Sequence, residues 1–422
     1  MRTLSVPAPK IEADSMSTTV SAQVTVNNKR YDIWYKVPKG TTVSKEQASD
    51  GLLCLLLIPA MKSAERLSLT SPVSAKILES TEVIQDMYTS WHSDKGFKRV
   101  KIDAKARTSA SKPAPARGVA SCFTAGVDSF YSLLRHKSEI THLIYIHGFD
   151  IPLKEVAFRK KVSKHLNEVA KSLGKELVEP ETNIQELTND IAEWGEFSHG
   201  FALASVALLL ASNFRKLYAP SSLSYADLYP RGTHALLDPL WSSEYLSFVH
   251  DGAEATRIQK VDYISSSKEA MEHLRVCWQS NDAYNCSVCE KCVRTMTSLE
   301  IVGALQKCQT FSRKLTTQQI RDLNIKNNVA LSYAEESLKA AKNNHTSPEI
   351  ISALSDSIDN YKNMELSILI KDRFNAFVGS PYFNDVKDQI ISTLWAATSK
   401  SLIASMPSQL SRKVRSKLGR SK

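Results

Sequence analysis

The feature that most constrains the fold is an alternation of short apolar strands and helical patterns between residues 119 and 219. Strands are predicted at 119–123, 143–146, 177–178 and 217–219, and helices follow the first, second and third of them. This alternation predicts an α/β fold whose parallel sheet is covered by helices on both faces. Ligands of such folds bind at the carboxyl ends of the strands. We therefore predict an α/β domain over residues 119–309 and look for functional residues at that edge.

The flanking regions have other patterns. Residues 1–17 are predicted to be a disordered tail, and 18–105 a small α+β domain with a hairpin turning at Asn27-Asn28, a strand at 52–58 and a helix at 74–91. The segment 106–118 is rich in proline, alanine, serine and basic residues, which is typical of a linker. Residues 310–422 are predicted to be helical, with one helix starting at Ser347-Pro348.

The net charge of +10 is concentrated in two segments. Residues 95–117 carry eight basic residues and one acid, and residues 411–422 carry six basic residues and no acid, which leaves about −3 for the rest of the chain. Such segments are either solvated or bind an anionic protein or nucleic-acid partner. The amino terminus does not resemble a secretory signal, and the longest apolar runs, 51–61 and 201–212, fall short of a membrane span of about 20 residues. These observations predict a cytoplasmic protein without membrane insertion; a homodimer is one option.

Four of the seven cysteines occur within sixteen residues, as Cys277, Cys286, Cys289 and Cys292. Four thiolates with two residues between neighbouring ligands are typical of a closed structural zinc site. An iron–sulfur cluster is the main alternative, because similar spacings occur there. A disulfide framework is not expected in a chain of this length.

A short polar turn follows the first predicted strand of the α/β domain. It consists of Thr124, Ala125, Gly126, Val127, Asp128 and Ser129. The backbone N–H groups of such a turn face an anion at the amino end of the next helix. Thr124 and Ser129 add hydroxyl donors, and Asp128 adds a carboxylate for Mg²⁺. The turn is therefore predicted to bind phosphate groups.

This turn resembles the Ser-Gly-Gly-x-Asp-Ser signature of the PP-loop ATP pyrophosphatases, with Ala125 in place of the first glycine. The cysteine spacing resembles the zinc loop of the 7-cyano-7-deazaguanine synthases, the QueC family, which is a branch of that superfamily. The resemblance covers about 119–305. It implies a PP-loop catalytic domain (adenine nucleotide alpha hydrolase-like, Rossmann-like) that uses ATP, Mg²⁺ and Zn²⁺.

The resemblance also implies a reaction. ATP would adenylate a carboxylate or amide oxygen of a small acid with release of pyrophosphate, and a nitrogen donor would then displace AMP, so that the enzyme is a ligase forming a C–N bond. Asp128 and Ser129 would be the catalytic residues, because both would act on the phosphates or their metal. From this assignment we expect Asp128→Ala and Ser129→Ala to abolish pyrophosphate production and leave the melting temperature nearly unchanged.

The loop after the fourth predicted strand supplies candidate substrate residues. Asp227, Arg231 and His234 lie in this loop, at the edge where ligands bind in such folds. Three further residues follow or begin elements at this edge and are weaker candidates for substrate contacts: His147, Asp150 and His199.

Departures from the family leave other functions open. Ser198-His199-Gly200 stands where the family has Gly-Arg-Asn, and Arg231 follows Tyr229-Pro230 where the family has Asp. A diverged QueC-like enzyme of an anti-phage or biosynthetic operon that modifies a protein or nucleic acid is one alternative. A non-catalytic ATP-binding module is the other, because Ala125 replaces a glycine.

Overall fold

A computed structural model describes residues 2–107, 118–279 and 283–378, with the side chains of 366 and 368–378 left out. Part of the predicted linker, 108–117, and the basic tail 411–422 lie outside the described residues. The strands are β1 Thr3–Val6, β2 Lys10–Ala13, β3 Ser17–Val26, β4 Lys29–Pro38, β5 Arg66–Leu69, β6 Lys101–Asp103, β7 Gly118–Cys122, β8 His142–Ile144, β9 Glu176–Val178, β10 Glu181–Thr182, β11 Phe214–Pro220 and β12 Ser247–Asp251. The α-helices are α1 Lys45–Ser63, α2 Ala75–Trp91, α3 Val127–Arg135, α4 Val156–Ser172, α5 Ile184–Ile191, α6 His199–Leu209, α7 Arg257–Ile264, α8 Lys268–His273, α9 Glu290–Ile301, α10 Thr317–Arg321, α11 Asn328–Asn343 and α12 Pro348–Val378.

A five-stranded parallel sheet carries the candidate site. Its order is β12-β11-β7-β8-β9, so the chain starts in the middle, builds one side and then returns to build the other. This arrangement confirms the predicted α/β fold and is compatible with a Rossmann-like domain. The order reverses between β7 and β11, and ligands of open α/β sheets bind beside such a reversal.

Both faces of this sheet are buried, as a parallel sheet requires. Ala120 and Cys122 of β7 belong to a core shared with α1 and α6. The neighbouring residue Val119 belongs to a second core with α3, α4 and α7. Alternate residues of one strand therefore face different layers of helices.

The amino-terminal region adds two smaller sheets. β1, β5 and β6 are parallel, and β2, β3 and β4 form an antiparallel meander that is extended by β10. The hairpin predicted at Asn27-Asn28 is present, with φ of 49° and 64°, the left-handed values that its turn requires. Residues 1–17, expected to be disordered, contain β1 and β2, because Leu4 and Val6 alternate into the core and their strand pairs with β5.

The apolar run 52–58, expected to be a strand, is the centre of helix α1. This helix is buried on nearly every side, so its apolar residues show no helical periodicity that would separate it from a buried strand. α1 crosses α6 at Gly51, where an added Cβ would lie 2.8 Å from the carbonyl oxygen of Ser205. Ser205 Oγ donates to Gly51 O at 2.8 Å, and Cys54 Sγ donates to Phe201 O at 3.3 Å. Residues 18–105 therefore supply a helical layer of the five-stranded sheet and do not have a core of their own.

Residues 1–357 form one compact unit, and 358–422 form a second, of which the described part is the carboxyl-terminal portion of α12. α12 begins at Pro348, as predicted. The described residues contain no helix with the length and apolarity that a membrane span needs.

Candidate functional site

The turn between β7 and α3 has a left-handed residue where the sequence has alanine. Ala125 has φ of 58° and is fully buried. Its carbonyl oxygen accepts a hydrogen bond from the backbone of Arg275 at 2.8 Å, which ties the turn to the segment before the cysteines. Ser129 Oγ donates to Gly126 O at 3.0 Å and accepts from the N–H of Thr124 at 3.4 Å. The left-handed conformation that a glycine would adopt freely is therefore formed by alanine, held by its surroundings.

Asp128 is the centre of a buried ion-pair group. Its Oδ1 lies 2.8 Å from Arg257 Nη1 and 3.4 Å from Lys260 Nζ, both on α7. Burial opposes ionisation of this carboxyl, but the charges of Arg257 and Lys260 outweigh it and lower the pKa of Asp128. The Lys260 side chain is 1% exposed, and its Nζ also donates to the carbonyl oxygen of Ser221 at 2.6 Å, directly after β11. Through Lys260, Asp128 thus links the turn after β7 to the end of β11, the two strands between which the strand order reverses.

Three further cations approach this region from the cysteine segment. Arg275 is 4% exposed, and its nearest described carboxylate, Asp150, is 3.9 Å away. Arg294 is 10% exposed and pairs with Glu290 at 2.9 Å. Burial first, and then the charge of Arg257, lower the pKa of Arg294.

Lys291 is the third of these cations, and burial lowers its pKa. Its Nζ lies 3.9 Å from the ring centroid of Trp278, and the charges of Asp150 and Asp128 partly offset the effect of burial on its pKa. The sequence analysis missed all five cations. Two signals could have indicated them: Arg257 and Lys260 occupy one helix face soon after β12, and Arg275, Lys291 and Arg294 flank or interrupt the cysteines.

Helix α11, from the carboxyl-terminal region, covers the same cations. The ring of Tyr333 lies 4.2 Å from the guanidinium of Arg294 and 5.7 Å from that of Arg257. The Tyr333 hydroxyl donates to Ser222 O at 2.7 Å. The carboxylate of Glu336 accepts from the backbone N–H groups of Arg257 and Ile258 at 3.2 and 2.7 Å, at the amino end of α7. A side chain of α11 therefore occupies a helix terminus that favours anions.

The predicted substrate residues have different surroundings. Asp227 accepts hydrogen bonds from Ser224 and from Ser332 of α11, both at 2.5 Å, so it holds the loop to that helix. His234 packs against Trp91, with the ring centroids 4.9 Å apart, and burial lowers its pKa. Arg231 donates to Gly195 O at 3.1 Å, and its buried Nε lacks a partner among the described atoms. Arg231 therefore keeps a donor, Nε, that the described protein atoms do not satisfy.

Close backbone packing positions the segment around Arg231. An added Cβ on Gly200 would lie 1.9 Å from Gly232 O, so these two glycines let the loop lie against the start of α6. His199 bonds Thr233 at 3.2 Å, and burial, followed by the charge of Arg231, lowers the pKa of His199 to about 4. A neutral imidazole therefore lies beside the guanidinium.

His147, a weaker candidate from the sequence, is hydrogen-bonded to other protein side chains. Its Nε2 lies 3.2 Å from Glu179 Oε1, and its Nδ1 accepts from Arg159 Nε at 3.0 Å. Both ring nitrogens are thus engaged by protein groups.

The four cysteines are brought together as the spacing predicts. The sulfur atoms of Cys277, Cys286, Cys289 and Cys292 all lie within 4.8 Å of one another. The Cys277–Cys289 and Cys286–Cys292 sulfurs are 3.9 and 3.8 Å apart. Four sulfurs at about 2.3 Å from one zinc stand about 3.8 Å apart in a tetrahedron. The cluster can therefore hold a metal such as zinc.

The cysteine loop also positions the cations. Cys289 caps the amino end of α9, which carries Lys291 and Arg294 on its first turns. Arg275 lies two residues before Cys277, and its backbone N–H donates to the carbonyl oxygen of Ala125 in the predicted phosphate-binding turn. An ion bound by the cysteines would thus fix three cations against the turn.

Comparison of the chain with protein-family models, curated proteins and solved structures found no match in any of the three.

Proposed function

We propose that this chain is an ATP-using enzyme of the PP-loop type, similar to the QueC-like synthases, which adenylates a carboxylate or amide oxygen and releases pyrophosphate. The observation that carries this proposal is the convergence of buried and partly buried cations on one turn. Arg257 and Lys260 share one carboxylate, Asp128, while Arg275 and Arg294 pair with Asp150 and Glu290. Lys291 is the fifth cation, and the carboxylate of Glu336 lies at the amino end of α7. Buried charges without full compensation are costly, so a polyanion is the ligand that such a site fits.

The turn 124–129 and the five cations are assigned to the triphosphate. Arg257 and Lys260 are held by Asp128 in an orientation that faces the end of β11, and Arg294 and Arg275 approach from the cysteine side. Stabilisation of phosphate charge by fixed donors is the main source of catalysis in phosphoryl-group transfer. Asp128 is also the carboxylate of this turn that fits Mg²⁺, which would neutralise phosphate charge when bound.

In the proposed reaction, a substrate oxygen attacks the α-phosphorus of ATP. The bond from the α-phosphorus to the bridging oxygen breaks, and pyrophosphate leaves with the negative charge that the cations stabilise. A nitrogen donor then displaces AMP from the adenylate and forms the C–N bond. The protein supplies orientation and charge, and no side chain forms a covalent bond to substrate.

The cysteine cluster is assigned to Zn²⁺ in a structural role. Sulfur separations of 3.8 and 3.9 Å fit four ligands on a single ion. An iron–sulfur cluster distributes its cysteines over two or more irons, which would hold some of the sulfurs farther apart. Four thiolates fill the tetrahedron, so this zinc would not activate water.

The conformation of Ala125 favours catalysis over a degenerate ATP-binding module. The left-handed conformation that a glycine would provide at this position is present, and the methyl group of Ala125 is buried. Alanine at this position therefore keeps the left-handed backbone conformation expected of the glycine, which supports a functional turn.

The test is exchange of labelled pyrophosphate into ATP in the presence of a panel of small carboxylic acids. We expect exchange with one class of acid, with AMP and pyrophosphate as products. Arg257→Gln should reduce exchange about 10- to 100-fold, since it removes a charged contact worth about 1.5–3 kcal/mol and leaves Asp128 without its closest partner. Arg321→Gln, which removes a half-exposed pair with Asp356, is the matched control and should retain full activity. Release of ADP and phosphate by the wild type would contradict the proposal.

A further inference from the structure

A second group of metal-ligating side chains lies where α4 meets α8, separate from the cysteines. His165 and His273 place their Nδ1 atoms 3.0 Å apart. Glu168 Oε2 lies 3.8 Å from His273 Nδ1, and the ligand atoms of all three residues lie within 4.8 Å of one another. Neither the phosphate-binding turn nor the cysteine loop accounts for this arrangement.

We propose that His165, Glu168 and His273 form a second metal site, which binds a divalent ion such as Zn²⁺. Two imidazoles and one carboxylate are a usual ligand set for zinc, with the remaining position open to water. Ligands at 2.0–2.1 Å from one ion stand about 2.9 Å apart at right angles and about 3.4 Å apart in a tetrahedron. The observed 3.0 Å between the two imidazole nitrogens falls in this range.

The arrangement of the ligands supports the proposal. His165 and Glu168 are three residues apart on α4, so both project from the same face of the helix. His273 is the last residue of α8, which lies beside α4.

The second site would act on the cysteine loop through Tyr284. The Tyr284 ring lies 4.2 Å from the ring of His165, and its hydroxyl donates to His273 O at 2.9 Å. Tyr284 belongs to the segment between Cys277 and Cys286. An ion at His165 and His273 would therefore join α4 and α8 and fix one side of the loop that presents the cations. This inference does not depend on the proposed reaction.

The experiment counts zinc in the purified full-length chain at buffered, micromolar free Zn²⁺. We expect two zinc ions per chain in the wild type and one in both His165→Ala and His273→Ala. His345→Asn is the matched control, because His345 is exposed on another helix end and asparagine accepts its left-handed φ of 52°. The control should retain two ions.

A second readout separates binding from a folding defect. Added Zn²⁺ should raise the melting temperature of a wild-type sample already saturated at the cysteines, and should not raise that of His273→Ala. Glu168→Gln should weaken the second site at least tenfold and leave the first unchanged. A wild type that binds one ion, a second ion that binds only at millimolar zinc, or a second ion that persists in both histidine variants would overturn the proposal.

Discussion

The cysteine loop lies beside the predicted phosphate-binding crevice, which consists of the turn 124–129 and the five cations around it. The two sites differ in how their charged groups are held together. The loop gathers four groups that share one ligand, and its sulfur atoms are already at the separations that one ion requires. The crevice gathers five cations that repel one another, and the carboxylates around them do not match them in number. One site would be completed by a single bound ion, whereas the other is the site to which we assign a polyanion.

This difference explains why the two sites affect folding and function unequally. Metal binding to thiolates is coupled to folding, so the loop contributes to stability. Excess buried positive charge costs stability, and in the proposed function a bound polyanion would offset that cost. Variants in the two regions should therefore separate into two classes, and the following predictions test this in order of decreasing effect.

The largest effect is expected for Cys292→Ser. Loss of one thiolate should lower the zinc content by one equivalent and cost several kcal/mol, because zinc binding to structural sites is worth about 10–16 kcal/mol. Zinc content and the melting temperature measure both. Cys308→Ser is the control, since Cys308 is buried outside the cluster with its Sγ 3.5 Å from the Thr310 hydroxyl. A Cys292 variant with unchanged zinc content would contradict the assignment of the loop.

Asp128→Ala should cost about 3–5 kcal/mol, because it leaves Arg257 and Lys260 buried without their shared carboxylate. This corrects the sequence-based expectation of an unchanged melting temperature, which treated Asp128 as a ligand alone. Urea unfolding should show the loss, and pyrophosphate should restore more stability to the variant than to the wild type. Ser129→Ala, which removes a bond to Gly126, is the mild comparison in the same turn. An Asp128 variant as stable as the wild type would show that Asp128 does not compensate the buried charges of Arg257 and Lys260.

Arg294→Gln should have opposite effects on the free and the liganded protein. The change removes a cation that is repelled by Arg257, so the unliganded chain should be equally or slightly more stable. ATP binding should weaken about 10- to 100-fold, corresponding to a charged hydrogen bond of about 1.5–3 kcal/mol. Calorimetric titration with ATP measures this, and exposed Lys307→Gln is the control. Equal affinity in variant and wild type would exclude Arg294 from the anion site.

The smallest effect is expected for Ala125→Gly. Glycine relieves a left-handed conformation that costs other residues about 1–2 kcal/mol, but it also gains freedom in the unfolded chain, which opposes this gain. The net change in unfolding free energy should lie within about 1 kcal/mol, with pyrophosphate exchange retained. A large gain in exchange would show that the methyl group of Ala125 impedes phosphate binding.

The sequence predicted those features whose signals are local. The hairpin at Asn27-Asn28, four of the five strands of the parallel sheet and the start of α12 are marked by alternation, turn residues or a helix-starting proline, and the structure has each of them. The fifth strand, β12, was not predicted. The four cysteines are marked by spacing alone, and their sulfur atoms do converge.

Features that depend on packing across the chain were missed. α1 was mistaken for a strand because it is buried all round, and its role as a layer on the five-stranded sheet depends on contacts with α6 some 150 residues later. The cations were missed because lysine and arginine are ordinarily exposed, and nothing local indicates that Lys260 is buried. Their clustering around one turn becomes visible only when α7, α9 and β11 lie side by side in the folded chain.

Helix α11 covers the cations of this crevice. Its Tyr333 covers two guanidinium groups, and its Glu336 neutralises the amino end of α7. Displacement of α11 would remove an aromatic cover and a negative charge together. In the proposed function, residues 328–343 would therefore control both the access of a polyanion to the cations and the positive potential that attracts it.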